Sequence, residues 1–260
     1  MLKKRLKLRR LLGLVKICKN WFYVLLIVLF TRFNSLLSHT FFIFKMRNEA
    51  RIKVRRSGNE ISTILEVFVE KRYEKSFEIT KNDEVIDIGA HVGIFSIYAA
   101  NKGARIYSFE PSEENFKLLK ENVELNSLND RIRAFNLAIS NKRGKRILHL
   151  SSSSLAHSLF DFGNDKKKEI VKSITLDDVF EIAGLSSCDF LKIDAEGSEY
   201  EMLFSAKKET LEKIRKIVVE YHVSEKKGQE LMNFLTRNDF TAKIEPFEEN
   251  IGLIYGYRIE

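Results

Sequence analysis

The fold is decided by the stretch Val85-Ile86-Asp87-Ile88-Gly89-Ala90-His91-Val92-Gly93. It predicts a buried strand, a tight turn that needs glycine at Gly89, and a helix that begins after Gly93 and packs against the sheet. A second strand then ends at Phe109-Glu110-Pro111, where Glu110 lies seventeen positions after Gly93. Because this order places the turn and the carboxylate at the same edge of a parallel sheet, it predicts a pocket for a nucleotide-type cofactor.

The spacing of the glycines indicates which ligand the turn takes. Turns that bind dinucleotides carry G-x-G-x-x-G, because a pyrophosphate must approach the backbone at the helix N-terminus. Here the pattern from Asp87 to Gly93 is D-x-G-x-x-x-G, which lacks the second close-approach glycine. A ligand without phosphates fits this pattern better, and S-adenosylmethionine offers a ribose for Glu110 and an amino-acid end for the turn. The alternative is an ordinary strand-turn-helix with a surface glutamate.

Composition limits the size and partners of the protein. A chain of 260 residues with 44% hydrophobic content has room for one catalytic domain and an appendage. The two cysteines, Cys18 and Cys188, have no metal-binding spacing, and a reducing cytosol is the simpler assignment. Residues 1–56 hold fifteen Lys or Arg and one acid, whereas the rest holds 29 basic and 35 acidic residues. The catalytic part is therefore mildly acidic, and a nucleic-acid partner is not expected.

Residues 1–49 are predicted to form a basic, aromatic-rich helical extension. Their apolar run from Trp21 to Phe30 is ten residues long, whereas a spanning helix needs about twenty. Extending the run to Phe44 would bury Arg32 in the bilayer at a cost of about 2.5–3.5 kcal/mol. Three alternatives stay open: a helix lying on an anionic membrane surface, a packed helical cap, and a true span. We expect a cytoplasmic protein, with peripheral contact at the inner face of the membrane as one of these alternatives.

Residues 50–260 predict a single domain in which strands and helices alternate. Short spacing between them implies right-handed crossovers and hence a doubly wound, mostly parallel α/β sheet of seven strands. The last two strands have no helix between them, so we expect an antiparallel hairpin at the sheet edge. This Rossmann-like arrangement suits a class I methyltransferase better than a nicotinamide-binding domain. The predicted strands are 84–88, 105–109, 131–137, 189–194, 216–222, 241–245 and 251–258.

An insertion at about 140–175 is longer than one crossover helix requires. Alternating residues at Lys145–Leu150 and Glu169–Thr175 predict a hairpin within it. We interpret the insertion as a flap that binds the acceptor substrate above the cofactor mouth. His157 could then reach the acceptor, the alternative being a solvated loop histidine.

Acidic and histidine side chains follow the next two strands. Asp194 ends the strand in Leu191-Lys192-Ile193-Asp194-Ala195-Glu196-Gly197, at the edge where open α/β sheets bind ligands. The following strand delivers Glu220 and His222 on one face. His222 as a neutral imidazole could be the general base on an acceptor hydroxyl. Alternatively, Asp194, Glu220 and His222 could hold a divalent ion that orients a sugar diol, or form a capping network at the strand ends.

Several motifs occur in the order seen in FkbM-type methyltransferases, and the chain resembles that family over about residues 50–245. The most specific of them is K-I-D-x-E-G, at residues 192–197. The full set is V-I-D-I-G-A-H-V-G, S-F-E-P, L-K-E-N-V-E-L-N, L-A-I-S, I-T-L-D-D, L-K-I-D-A-E-G-S-E and V-V-E-Y-H.

The resemblance implies an S-adenosylmethionine-dependent enzyme that methylates a hydroxyl on a sugar, glycan or glycolipid. His91 departs from the asparagine that the family often has in the turn, and the basic N-terminus is outside the shared pattern. By position, the resemblance assigns Asp87, Gly89, Ala90 and Gly93 to the cofactor turn, Glu110 to the ribose, Ala138 to the adenine, and Asp194 to the meeting point of cofactor and acceptor.

Three other functions remain open from the residues, one of them an RNA methyltransferase, which would need basic surface beyond residue 56. An NAD(P)-dependent oxidoreductase would share the strand-turn-helix and Glu110, but it would need the absent glycine. A membrane-associated binding module without activity would keep the fold and the basic N-terminus. The partners expected are a small-molecule or glycan acceptor and, through residues 1–56, an anionic membrane surface.

Overall fold

Strands and helices alternate along most of the computed structural model, which describes residues 12–24, 41–55, 60–151, 157–160, 167–222, 224–248 and 250–259. The strands within these residues are β1 (Phe41–Lys45), β2 (Arg51–Arg55), β3 (Glu84–Ile88), β4 (Arg105–Phe109), β5 (Ile132–Phe135), β6 (Ala138–Ile139), β7 (Gly144–Leu150), β8 (Lys167–Ile174), β9 (Phe190–Ile193), β10 (Lys216–Tyr221), β11 (Thr241–Glu248) and β12 (Ile251–Tyr257). The helices are α1 (Glu60–Ile64), α2 (Ile94–Asn101), α3 (Glu113–Leu125), α4 (Leu176–Ala183), α5 (Glu199–Ser205), α6 (Lys208–Glu212) and α7 (Glu225–Arg237).

The central sheet has seven strands in the order β5-β4-β3-β9-β10-β12-β11. Strands β5, β4, β3, β9 and β10 pair in parallel, and β12 is antiparallel to both β10 and β11. This confirms the predicted doubly wound sheet and its antiparallel edge hairpin. The chain order reverses between β3 and β9, so a crevice opens at the carboxyl ends of these two strands.

Both faces of the sheet are covered, which explains the nearly continuous apolar sequence of the parallel strands. Val85 packs into the core on one face, while Ile86 and Ile88 pack into the core on the other. Tyr221 of β10 is fully buried between two glycines: a Cβ atom would lie 2.8 Å from its ring at Gly228 and 2.5 Å from its hydroxyl oxygen at Gly252. The absence of side chains at these positions makes room for the tyrosine ring.

The first helix after the N-terminal ribbon, α1, is only five residues long. Helix α1 passes into a π-helical turn, Leu65–Val69, and a 3₁₀ turn, Arg72–Glu74. Lys71 between them has a φ of 47°, a conformation that ends regular helix. This interruption turns the following residues toward the crevice.

The insertion forms its own three-stranded sheet in the order β6-β8-β7. Strands β7 and β8 pair antiparallel, which confirms the predicted hairpin. Leu148 and Val171 from this hairpin pack with Leu159 and Ala138 in a small separate core.

The N-terminal extension is partly a β-ribbon. Residues 12–17 and 21–24 are helical, as expected, but β1 pairs antiparallel with β2. The helical expectation is therefore wrong for residues 41–45, because their phenylalanines and isoleucine favour a strand once β2 supplies a partner. The boundary placed at residue 49 falls in the turn between β1 and β2.

The described part of the extension packs into the domain. One hydrophobic core contains Val85 of β3 together with four buried residues of the extension, Leu14, Cys18, Val24 and Phe44. This favours a packed cap for these residues, whereas residues 25–40, which hold most of the predicted apolar run and Arg32, lie outside the described residues. Within the described ranges, no helix has the length and apolarity to cross a membrane.

Candidate active site

A cavity lies at the crevice, beyond the carboxyl ends of β3, β4, β9 and β10. It encloses about 1250 Å³ of empty space, its open mouth included. Glu110 and Ala138 line one end, the turn at Gly89 lines the middle, and Asp194 and Glu220 line the opposite end. The cavity thus joins four predicted cofactor residues to Asp194 and Glu220, whereas Gly93 and His222 are not among its lining residues.

The turn requires glycine at Gly89, and the reason lies in the neighbouring strand. Gly89 has a φ of +74°, and a Cβ atom there would lie 1.8 Å from the backbone oxygen of Asp194. The sequence suggested that a side chain would block the ligand, but the first obstacle is this protein oxygen. Gly93, with a φ of +85°, closes the turn. A Cβ atom added to Gly93 would lie 3.2 Å from the side chain of Leu119 in α3. A side chain at Gly93 would therefore press on α3, while helix α2 itself packs against β3, β4 and β5 of the sheet, as predicted.

The backbone amides of the turn are already occupied. The amides of Gly89 and Ala90 both donate to the carbonyl oxygen of Phe109, each at 3.0 Å. The amide of His91 donates to Oε2 of Glu110 at 2.8 Å. Because a phosphate site needs free amides directed at the ligand, the turn fits a cofactor without phosphates, as S-adenosylmethionine is.

Glu110 lies buried at the cofactor end of the cavity. Its carboxylate accepts hydrogen bonds from the amides of His91 (2.8 Å) and Ser112 (2.9 Å). Burial nevertheless raises the pKa of Glu110 to about 7. Oε1 also accepts from Nδ2 of Asn115 (3.4 Å), whereas Oε2 keeps a lone pair for a further donor, so the residue present fits a ribose hydroxyl.

Asp87 lies beneath the turn and is fully buried, outside the cavity wall. Its Oδ2 accepts a hydrogen bond from Ser96 (2.6 Å), and its Oδ1 pairs with Nζ of Lys192 (3.1 Å). Lys192 also donates to the carbonyl oxygen of Gly89 (2.8 Å) and lies 3.6 Å from Oδ2 of Asp194. It is 3% exposed. The sequence did not assign Lys192 a role, although a lysine in a strand buried on both faces was the available signal.

Carboxylates, a histidine and a tyrosine meet at the other end of the cavity. The Tyr73 hydroxyl lies 3.2 Å from Oδ2 of Asp194 and 3.1 Å from Oε2 of Glu220. His222 Nε2 lies 3.6 Å from Glu196, 3.9 Å from Glu220 and 4.0 Å from Asp194. The structure thus brings Asp194, Glu220 and His222 together, whereas Tyr73 carried no motif that could have identified it.

His222 is held by a carboxylate of helix α5. Its Nδ1 lies 2.5 Å from Oε1 of the fully buried Glu199, which leaves Nε2 directed at the acidic cluster. Burial alone would lower the pKa of His222, but Glu199, Glu196 and Asp194 outweigh it and hold the pKa well above the usual value. The imidazole is therefore protonated near neutral pH. Burial and the charge of Asp194 also raise the pKa of Glu220.

Three of these residues could hold a divalent ion. Asp194, Glu220 and His222 each offer one ligand atom, and the three atoms lie within 4.8 Å of one another. Two carboxylate oxygens and an imidazole nitrogen suit several divalent cations. The ammonium of Lys192, 3.6 Å from Asp194, already supplies positive charge at the same place.

The insertion lines the cofactor end and also reaches the acidic cluster, where Ser158 Oγ donates to the backbone oxygen of Glu196 (2.5 Å). Leu148, His157 and Leu159 line the cavity beside Ala138. His157 Nδ1 accepts from the amide of Ser151 (3.2 Å). The small core shared with Ala138 places this part of the insertion beside the expected adenine position, and the acceptor role of the insertion and of His157 stays a prediction.

A family model described as the Methyltransferase FkbM domain matches residues 87–242. The chain belongs to this family. It is an S-adenosylmethionine-dependent methyltransferase, and the family decides against the nicotinamide-dependent oxidoreductase and the binding module. The matched residues include both the cofactor turn and the Asp194 cluster.

Relatives of this FkbM-family protein cover most of its length. The 31-O-demethyl-FK506 methyltransferase FkbM of Streptomyces tacrolimicus is 23% identical over 77% of this chain and 89% of its own. Methyltransferase sdnD of Sordaria araneosa is 27% identical over 60% of this chain and 72% of its own. The solved structure of TYW2 from M. jannaschii in complex with AdoMet has a TM-score of 0.47 and 16% identity, covering 85% of this chain and 88% of that one.

The raised pKa of Glu110 predicts that cofactor affinity depends on pH. A protonated carboxyl accepts fewer hydrogen bonds from a diol, so binding of S-adenosylmethionine weakens as pH falls through 7. With a pKa of about 7 in the free protein, linkage gives a Kd about tenfold higher at pH 6 than at pH 8. Isothermal titration calorimetry across this range measures it.

Glu110→Gln is the control for that prediction. Glutamine has the same size as glutamate but does not titrate. The variant should therefore bind S-adenosylmethionine more weakly, and its affinity should lose the part of the pH dependence that comes from Glu110. An unchanged pH profile in this variant would assign the titration to another group. The effect of pH on folding has the opposite sign to its effect on cofactor binding. Folding raises the pKa of Glu110 from 4.5 to about 7, so this group stabilises the fold below pH 4.5, and that stability is lost as pH rises through 7.

Proposed function

We propose that the protein methylates a hydroxyl oxygen on a sugar, glycan or glycolipid, with Asp194 as the proton acceptor. The observation that carries this proposal is the position of Asp194. Its side chain is 25% exposed, lines the cavity, and follows β9 directly beside the cofactor turn. A hydroxyl that enters from the mouth would meet this carboxylate and the expected methyl group together.

The reaction requires one proton to leave the acceptor. S-adenosylmethionine supplies an electrophilic methyl group on a sulfonium. As the acceptor oxygen bonds to the methyl carbon and the carbon–sulfur bond breaks, the hydroxyl proton passes to Asp194. Lys192 and the Tyr73 hydroxyl both lie at Oδ2 of this carboxylate and fix its orientation.

His222 takes a different role from the one predicted. An imidazole whose pKa is held well above its usual value carries a proton at neutral pH and cannot accept another. We assign it to charge balance, because its cation lies among Glu196, Glu199 and Glu220. Asp194 is then the carboxylate left to accept the proton.

The hydroxyl acceptor has two supports. The name of the Streptomyces tacrolimicus relative places its methyl transfer at an oxygen. In addition, the cavity wall carries the polar side chains of Ser62, Thr63, Glu66 and Arg72, which suit a hydroxyl-rich ligand.

The experiment that tests the proposal identifies the methylated product. The purified protein is given S-adenosylmethionine with a deuterated methyl group, together with glycans, glycolipids, small polar lipids or RNA. Mass spectrometry should place the label in a methyl ether of a sugar hydroxyl. Label found only in RNA, or only on nitrogen, would overturn the assignment.

We further propose that the N-terminal region contacts an anionic membrane surface from the cytoplasmic side. Phe22 and Tyr23 are exposed, and Lys16 and Lys19 lie nearby in the chain. Aromatic and basic side chains together favour the interface of anionic bilayers. Co-sedimentation with vesicles containing phosphatidylserine should be salt-sensitive and should drop with neutral vesicles; equal binding to both would refute the proposal.

Removal of metal should leave the reaction intact, whereas removal of His222 should impair it. Lys192, Arg72 and His222 already supply positive charge to the cluster. We therefore expect EDTA to change kcat less than about twofold, and His222→Ala to lower kcat about tenfold or more with little change in Kd for S-adenosylmethionine. Loss of activity in EDTA that Mg²⁺ or Mn²⁺ restores would show that Asp194, Glu220 and His222 bind a metal instead.

A further inference from the structure

Part of the acceptor end of the cavity is built from segments outside the matched family domain. The domain model covers residues 87–242. Glu66, Arg72 and Tyr73 come from the turns after α1, and Phe247 and Ile251 come from the β11–β12 hairpin. The cofactor turn and Asp194 lie inside the domain. This part of the wall that an acceptor would touch therefore comes from the segments that flank the matched domain.

Arg72 organises this wall. Its Nη2 lies 3.3 Å from Oε1 of Glu66 and 3.3 Å from Oε2 of Glu70. Its guanidinium lies over the ring of Phe247, 4.3 Å from the centroid, and its carbonyl oxygen accepts a hydrogen bond from Tyr255 (2.7 Å). Glu66, Glu70 and Phe247 hold the side chain and Tyr255 holds the backbone, so Arg72 is preorganised in the absence of ligand.

Glu66 and Arg72 place an acceptor group beside a donor group. One hydroxyl of a vicinal diol can donate to the Glu66 carboxylate while the next accepts from the guanidinium. Phe247 and Ile251 offer apolar contact for the C–H face of a sugar ring. Tyr73, which follows Arg72 in the chain, contacts Asp194 (3.2 Å). Glu66 and Arg72 therefore belong to a segment that reaches the carboxylate of the proposed reaction.

We propose that Glu66 and Arg72 form the specificity site of the enzyme and bind a vicinal diol next to the hydroxyl that is methylated. This inference rests on the proposed function. It assigns selection of the acceptor to residues 66–72, outside the family domain, and leaves cofactor binding to the domain itself.

The test uses methyl glycosides that carry a vicinal diol and their deoxy analogues, which lack one hydroxyl of the pair. Release of S-adenosylhomocysteine from S-adenosylmethionine is the readout. We expect the unaltered protein to show a KM about tenfold or more higher for a deoxy analogue, as loss of a charged hydrogen bond implies. Glu66→Gln should raise the KM for the diol glycoside about tenfold, reduce the discrimination, and leave the KM for S-adenosylmethionine within about twofold.

Controls separate folding from recognition. Arg143 pairs with Glu181 (3.5 Å) away from the cavity, so Glu181→Gln removes another arginine-paired carboxylate, one that is exposed, and should change neither KM. Arg72→Lys keeps the charge but loses the planar fork, and it should reduce discrimination as Glu66→Gln does. The Tm of each variant shows whether it is folded.

The outcomes are distinguishable. If the unaltered protein methylates glycosides but Glu66→Gln and Arg72→Lys keep its KM values and its discrimination, this inference is wrong and the proposed function stands. If the unaltered protein methylates no glycoside while it methylates another class of acceptor, the proposed function falls and the diol site falls with it.

Discussion

Asp194→Asn is expected to lower kcat by about two to four orders of magnitude, the usual contribution of a positioned proton acceptor. An amide has nearly the same shape as the carboxylate but cannot take the proton of a hydroxyl. Tyr73 can still donate to the amide oxygen, so the fold around the site should persist. Kd for S-adenosylmethionine should change only a few-fold, since Asp194 lies on the acceptor side of the cofactor turn.

The measurement combines steady-state kinetics, calorimetric titration of the cofactor and thermal unfolding. Asp189→Asn is the matched control, because Asp189 lies at the other end of β9, where its carboxylate contacts the Glu84 amide (2.9 Å) and Arg215 (3.2 Å). We expect that control to retain its kcat. Near-normal turnover by Asp194→Asn would remove Asp194 from the reaction and would leave the proposal without its proton acceptor.

Gly89→Ala should be the most damaging small substitution for stability. The added Cβ would lie 1.8 Å from the carbonyl oxygen of Asp194, on a backbone with a φ of +74°. The left-handed conformation costs about 1–2 kcal/mol for alanine, and moving packed backbone adds about 1–3 kcal/mol. We expect the free energy of unfolding to fall by about 3 kcal/mol or more, with loss of cofactor binding.

Gly184→Ala separates the two contributions. Gly184, at the end of α4, has the same φ of +74°, but nothing lies within 4 Å of the Cβ position. It should cost only the conformational part, about 1–2 kcal/mol. Urea unfolding followed by circular dichroism gives both values, and equal losses in the two variants would mean that the chain around Asp194 relaxes without cost.

Much of the fold could be predicted from local pattern. The apolar run 84–88, the glycine turn and the acidic residue after β4 were sufficient to predict β3, α2 and β4 with their bounds. Side-chain alternation likewise predicted the β7–β8 hairpin. These features depend on residues that are neighbours in the chain, so the spacing of apolar residues along the sequence is sufficient to predict them.

The N-terminal ribbon could not be predicted in this way. Phe41–Lys45 is apolar and aromatic, and its state depends on pairing with Arg51–Arg55. A strand needs a partner for its backbone groups, whereas composition alone cannot say whether one is present. The helical expectation for that segment was wrong for this reason.

The sequence by itself determined that Asp87, Glu110, Asp194 and His222 stand at strand ends along one edge, because the carboxyl ends of parallel strands share an edge. Only the tertiary structure decided what each group contacts. Tyr73 reaches Asp194 across 121 positions, and Lys192 reaches Gly89 across 103. The protonation of His222 likewise depends on burial and on Glu199, 23 positions away. Such contacts, and the pKa shifts they cause, arise from packing between segments that are distant in the sequence. The local spacing of apolar residues therefore cannot predict them.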